Sequence, residues 1–152
     1  MEAIVETPKG SAVKYKFDEK TAKFHLLKAL PAGMIFPFDF GFIPGTKGED
    51  GGPLDILILS EFATFAGCVV DCRIVGCLMA EQTDGNRTIR NDRFLGIPEQ
   101  SHLFEGIRTM DDITPRIITE ILQFFKDYLK AEGKELRILG QLDSRQARRL
   151  IH

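Results

Sequence analysis

Apolar and polar residues alternate along Val13-Lys14-Tyr15-Lys16-Phe17, the period of a strand with one face buried. Asp18-Glu19-Lys20-Thr21 then predicts a turn, and a second short strand follows near Phe24-His25-Leu26. Residues 31–53 are dense in proline and glycine, which predicts a structured loop and no regular element. Leu54-Asp55-Ile56-Leu57-Ile58-Leu59 is apolar on both faces except at Asp55, as expected for a central strand covered on both sides. A longer strand is expected from Cys68 to Leu78, a turn at Asp84-Gly85-Asn86, and a returning partner strand from Arg93 to Pro98.

The last third reads as helix. Thr114 stands at a capping position, and Pro115 suits the first helical position, where its missing N–H is no loss. Ile118, Ile121, Leu122, Phe125 and Leu129 recur at helical spacing until Gly133 ends the run. Leu136-Arg137-Ile138-Leu139 predicts a last strand, and Ser144 to Ile151 a short basic helix with Arg145, Arg148 and Arg149 on its solvated face. Strands first and helices last, with no repeat, predict an α+β fold in one domain spanning residues 1–152, with a strand-rich barrel or sheet and helices outside.

A chain of 152 residues with 43% apolar and 28% charged residues has ample core formers for one globular unit. Twenty basic against 22 acidic side chains give a net charge of -2, which argues against nucleic-acid or anionic-membrane binding by bulk charge. No apolar run is long enough to span a membrane, and the first residues lack the pattern of a signal peptide. Cys68, Cys72 and Cys77 are odd in number, lie in an apolar stretch and have no histidine at ligand spacing. Buried reduced thiols are therefore expected, and with them a cytoplasmic location. No glycine-rich loop ending in Lys-Ser or Lys-Thr is present, which disfavours an ATPase or nucleotide kinase. His25, His102 and His152 are scattered, and Phe36, Phe38, Phe40 and Phe42 fit core packing better than a base-stacking platform.

One pair of residues breaks the bland pattern. Asp55 heads an apolar strand, where an ionised carboxylate is costly unless it faces a mouth, a metal or a cation. Asp50 lies five positions earlier in a glycine-rich loop, and Pro53 stiffens the turn between them. Paired carboxylates of this kind suit Mg²⁺, which takes oxygen ligands and accompanies phosphate substrates. The alternative is that both aspartates only cap turns.

Several longer stretches carry a family resemblance. They are Glu6 to Ser11 leading into Lys14-Tyr15, Phe36-Pro37 through Gly45-Thr46, Asp50 to Leu59, Phe65 to Cys68, Val75-Gly76, and Phe124-Phe125 with Tyr128. Across nearly its whole length the chain resembles soluble inorganic pyrophosphatases of family I. The resemblance implies a five-stranded barrel related to the oligonucleotide-binding (OB) fold, with a long and a short C-terminal helix outside. It also implies an acidic mouth holding several Mg²⁺, and a homo-oligomer, usually a hexamer in bacteria. Pyrophosphate and phosphate are the implied ligands, and no nucleic-acid or membrane partner is implied.

Carried over by position, Asp50 and Asp55 are expected to be both metal-binding and catalytic. Lys14, Lys28, Arg93 and Tyr128 are expected to bind phosphate oxygens. Lys28 stands for the family's arginine and Arg93 for its lysine, swaps that keep the cation but alter its hydrogen-bond geometry. Elsewhere the pattern is lost. Gly52 replaces the middle aspartate of the signature, Lys16 a metal-shell glutamate, Phe40 a tyrosine and Leu129 the lysine after the helix tyrosine. Asn91 and Gln82 fall where metal aspartates are expected, so the neighbouring Asp92 and Glu81 become the candidate metal ligands. The mouth is thus more positive than the family pattern and poorer in metal ligands. Three outcomes follow: Mg²⁺-dependent pyrophosphate hydrolysis on a rearranged site, binding of a phosphate compound or partner without turnover, or cleavage of another phosphoanhydride or phosphoester.

Overall fold

The computed structural model describes residues 1–151. It is a mixed α+β fold, mostly strands, with two α-helices. The strands are β1 (Glu2–Thr7), β2 (Val13–Asp18), β3 (Lys23–Ala29), β4 (Asp39–Ile43), β5 (Leu54–Ile58), β6 (Val69–Asp84), β7 (Arg87–Arg90), β8 (Arg93–Pro98) and β9 (Glu135–Asp143), with helices α1 (Pro115–Lys130) and α2 (Ser144–Arg149). The main sheet runs β1-β4-β5-β8-β6-β7, with β9 also on β6, and β1 pairs with β6 as well as β4. β2 and β3 form a separate two-stranded sheet. β5 and β8 run parallel, whereas β5 meets its other neighbour, β4, in antiparallel register.

Several expectations are extended or corrected. Residues 31–53 hold a strand after all, β4, because Asp39 to Ile43 lies fully buried between β1 and β5. Tertiary burial there outweighs the local Pro and Gly. β1 and β7 had no clear period of their own, and β6 runs to Asp84, well past Leu78. Thr114 occupies the position before α1, but its side chain makes no capping bond. Asp143 caps α2 instead, accepting from the Gln146 N–H at 2.8 Å.

Strand alternation splits the core in two. Ile56 and Ile58 join Val5, Ile74 and Phe94 in one cluster, which Ala147 of α2 covers. Leu57, Leu59, Leu95 and Ile97 face the other way and pack on Ile118, Ile121, Phe125 and Leu129 of α1. Phe36 and Phe40 belong to this second cluster, so these two aromatics are core and not a platform. Cys72 and Cys77 are buried free thiols, each pushed up to about 12 by burial. His152 lies outside the described residues.

The β4 crossing depends on glycine. A Cβ at Gly41 would lie 2.0 Å from the Ile4 carbonyl oxygen across the β1–β4 ladder. Gly41→Ala is therefore expected to lower the unfolding free energy by about 3 kcal/mol, read by urea titration. Gly106→Ala, with nothing within 4 Å of the added atom, is the comparison and should change it by less than about 0.5 kcal/mol.

Glu61 secures the loop after β8. It accepts from Ser101 Oγ at 2.7 Å, from the His102 N–H at 2.7 Å and from the Leu103 N–H at 3.1 Å. The Ser101 bond, helped by backbone donors, pulls its carboxyl from 4.5 down to about 2. A depressed carboxyl stabilises the fold above its unfolded value and loses that effect as pH falls through the folded value. Wild type should melt above Glu61→Gln at neutral pH, and the gap should close between pH 4.5 and about 2. A gap constant with pH would contradict this.

Candidate active site

Two side chains that alternation would send into the core form the floor of a cleft. Asp55 shares its strand face with Leu57, and Arg93 with Leu95, so both point toward α1. The parallel register pairs Asp55 with Arg93 across β5 and β8. Arg93 is 4% exposed, and its guanidinium lies 4.3 Å from the centre of the Phe125 ring, a cation–π arrangement. Burial lowers Arg93 from its usual value, and Asp55 opposes that shift more than any other charge. Burial likewise raises the Asp55 carboxyl, against the pull of Arg93 and Lys14.

The cleft above this floor has a volume of about 920 Å³ and is lined by all six residues expected to bind substrate or act on it: Asp50, Asp55, Lys14, Lys28, Arg93 and Tyr128. Lys14 and Lys28 are cross-strand partners on β2 and β3. Lys28 Nζ sits 4.2 Å from the centre of the Tyr128 ring, and Lys14 Nζ lies 5.4 Å from it. Burial lowers the Lys14 ammonium, while Asp55 and Glu6 oppose the shift. Asp50 lies at the exposed lip, where its Oδ1 accepts from the Gly52 N–H at 3.1 Å. It is thus a turn-closing residue and a cleft-lining residue at once.

Glu81 and Asp92, proposed above as metal ligands, are not part of this cleft. Period-two alternation on β6 turns Gln82 inward and Glu81 outward, and in the two-residue link between β7 and β8 Asn91 lines the cleft while Asp92 does not. Glu81 pairs with Arg137 at 3.3 Å. Asp92 pairs with Arg90 at 2.6 Å and accepts from the Ala80 N–H at 3.2 Å, beside a separate small pocket.

Residues the motif reading passed over complete the wall. Glu6, 8% exposed, accepts from the Phe17 N–H at 2.8 Å, and burial raises its carboxyl. The signal for it was present, since it opens the first matching stretch, but a lone glutamate there has no partner in the sequence. Glu132 lines the cleft and pairs with Lys28 and, at 3.3 Å, with Lys134. Lys16 also lines the cleft, and Phe40 and Leu129, largely buried, form part of its apolar base.

The donor set decides how much metal the cleft can hold. Among the described residues no group of three or more His, Cys, Asp and Glu side chains could hold an ion. Gln82 Oε1 accepts from Arg93 Nη2 at 2.7 Å and from Asn91 Nδ2 at 3.1 Å, and the Asn91 carbonyl accepts from Arg93 Nη1 at 3.0 Å. These residues therefore do not fit the several-ion cluster that the resemblance implies. Asp50 and Asp55 fit one Mg²⁺ shared with phosphate oxygens, since that ion is commonly held by one or two carboxylates and completes its shell with water and substrate. The fork of Arg93 ties β8 to β6 in a way an ammonium cannot reproduce. Arg93→Lys should lower the unfolding free energy by about 2 kcal/mol, and wild-type stability for the variant would contradict the clamp.

The family model described as inorganic pyrophosphatase matches residues 3–152. An inorganic pyrophosphatase from a Nostoc species is 34% identical over 148 residues, covering 97% of this chain and 85% of the relative. One from Methanosarcina acetivorans is 36% identical over 137 residues, covering 90% and 79%. The solved structure of the Thermus thermophilus inorganic pyrophosphatase superposes with a TM-score of 0.90 at 30% identity, covering 99% of this chain and 86% of that one. With fold and sequence in agreement over nearly its whole length, the chain belongs to the inorganic pyrophosphatase family.

Proposed function

We propose that this chain hydrolyses inorganic pyrophosphate to two phosphates in the cleft floored by Asp55 and Arg93. The observation that carries the reading is the register of Asp55 against Arg93 beneath Lys14, Lys28 and Tyr128. Cations for the phosphate oxygens thus surround one carboxylate placed to handle water. Lys14, Lys28, Arg93 and Tyr128 hold the substrate. Asp55 accepts a proton as water adds to one phosphorus, the bridging P–O bond breaks, and the second phosphate leaves. Burial raises the Asp55 carboxyl, which makes it a stronger base than a solvated aspartate. When bound, a Mg²⁺ on Asp50 and Asp55 supplies further charge compensation for the phosphates.

The pairing of β1 with both β4 and β6 supports reading β1, β4, β5, β8 and β6 of the main sheet as a five-stranded OB-like barrel within a single domain of residues 1–152. Among the described residues no helix is long and apolar enough to cross a membrane. A cytoplasmic homo-oligomer, a hexamer by resemblance, completes the proposal, and light scattering tests the assembly.

A second reading, phosphate binding without turnover, is favoured by one observation. Gln82 and Asn91 hold Arg93 where the resemblance expects metal carboxylates. Phosphate release from pyrophosphate separates the two readings. Wild type should release phosphate with Mg²⁺, and Asp55→Asn should lose at least about a hundredfold in rate. Glu81→Gln, outside the cleft, should stay close to wild type. No release by folded wild-type protein above the Asp55→Asn background would overturn the first reading.

A further inference from the structure

Two buried donors in the cleft have no partner. Arg93 Nε and Tyr128 Oη make no hydrogen bond among the described residues, although their side chains are only 4% and 6% exposed. Buried polar groups are nearly always satisfied, and an orphan in a cleft points to a ligand that completes it. The Arg93 N–H can only donate and the Tyr128 hydroxyl can donate, so an acceptor completes both, and Lys14, Lys16 and Lys28 on the same cleft favour an anion.

The Arg93 charge is a fixed part of the fold. Asp55 faces it from the parallel neighbour, Gln82 Oε1 and the Asn91 carbonyl take its two terminal nitrogens, and the Phe125 ring covers its plane. A cation enclosed in this way does the electrostatic work of a bound metal ion and needs no metal to be recruited. Gln82, whose Oε1 accepts from both Arg93 and Asn91, is withdrawn from any coordination shell. Lys16, on the wall above and near Glu6, adds positive charge at the mouth. Of the acidic side chains that line the cleft, Asp55 faces Arg93 and Glu132 is engaged by Lys28 and Lys134, while Glu6, Asp18, Glu19 and Asp50 line the rest.

We infer that the cleft binds pyrophosphate as the free anion, with Arg93, Lys14, Lys28, Lys16 and the Tyr128 hydroxyl in place of the metal ions that would otherwise accompany it. The inference rests on the proposed substrate and separates binding from turnover: Mg²⁺ contributes to bond cleavage and is dispensable for capture. Fixed cations also fix the ligand class. A compact, multiply charged phosphoanhydride satisfies both orphan donors and the lysines together, whereas a monoanionic diester leaves cations uncompensated.

Isothermal titration of the full chain with methylenediphosphonate, a pyrophosphate analogue whose P–C–P bridge resists hydrolysis, once in EDTA and once in Mg²⁺, tests this. Wild type is expected to bind in EDTA with a Kd within about tenfold of its Mg²⁺ value. The Gln82→Asp, Asn91→Asp double variant restores two carboxylates beside Arg93. It should lose at least about tenfold in EDTA and recover with Mg²⁺. Lys16→Glu, at an exposed position of β2, should move in the same direction. Binding by wild type only when Mg²⁺ is present would overturn the inference and leave pyrophosphate hydrolysis standing. Tight binding in EDTA without phosphate release from pyrophosphate under any condition would do the reverse. Absence of binding in both buffers, from protein that melts cooperatively, would overturn the inference as well.

Discussion

Everything in the cleft follows from one adjacency, a carboxylate and a guanidinium placed side by side at the head of a parallel strand pair. Asp55 and Arg93 are in register on β5 and β8, on the face that the same strands otherwise devote to packing on α1. Taking two charges out of water is unfavourable, and their mutual attraction repays it only when the remaining hydrogen-bonding capacity is met. Here Gln82 and Asn91 meet part of it, and the Phe125 face accepts the guanidinium plane. One donor is left over. The floor is therefore stable as a unit and incomplete as a hydrogen-bond network.

The wall is attached by a second, independent device. β2 and β3, which carry Lys14, Lys16 and Lys28, pair only with each other, and a lone two-stranded ribbon is marginal in water. Glu6 and Thr7 at the end of β1 bind it to the main sheet. Glu6 accepts from the Phe17 N–H at 2.8 Å, and Thr7 Oγ1 accepts from the Tyr15 N–H at 3.1 Å. The Phe17 ring stacks on Phe42 of β4 with centroids 5.6 Å apart. The same contacts that anchor the ribbon thus set the height of its lysines above Asp55. Tyr128 supports them from α1, where its ring contacts Phe36 and Phe124. Burial raises its hydroxyl above the usual value, so it enters the cleft as a donor.

The parts legible in the sequence were those whose signal is local. Helix α1 was announced by Pro115 and a run of residues at helical spacing, and β5 by an apolar hexapeptide interrupted once. That interruption, Asp55, was readable as a functional residue because no local pattern excuses a carboxylate there. β4 was not readable, since its strand character comes from neighbours distant in sequence. Asp50, Asp55, Lys14, Lys28, Arg93 and Tyr128, drawn together by the motif match, line one cleft, whereas Glu81 and Asp92, chosen for adjacency in sequence, lie outside it. A single residue along a strand reverses the face, so a neighbouring acid cannot replace a lost one unless a bulge intervenes. Bulges do occur in β6, at Ile74/Gly76 and Met79/Ala80, yet neither reorients Glu81. The role of Gln82 was invisible for a different reason: an amide that steadies an arginine has no signature until the arginine is seen beside it.

The departures at Gln82, Asn91 and Lys16 belong together for a physical reason. With aspartates at the first two positions, Arg93 would face three carboxylates, counting Asp55, in one enclosed space. Like charges so close cannot all remain ionised without added cations, which is the situation in which divalent ions become obligatory. Neutral amides remove that requirement, while the Gln82 amide oxygen and the main-chain carbonyl at position 91 still hold the guanidinium. Lys16 then turns the mouth toward anions, and Glu132 limits the excess by pairing with Lys28 and Lys134. A cleft of this make-up attracts a phosphoanion with charges that the chain carries itself, so its affinity is set by folding rather than by the concentration of a metal.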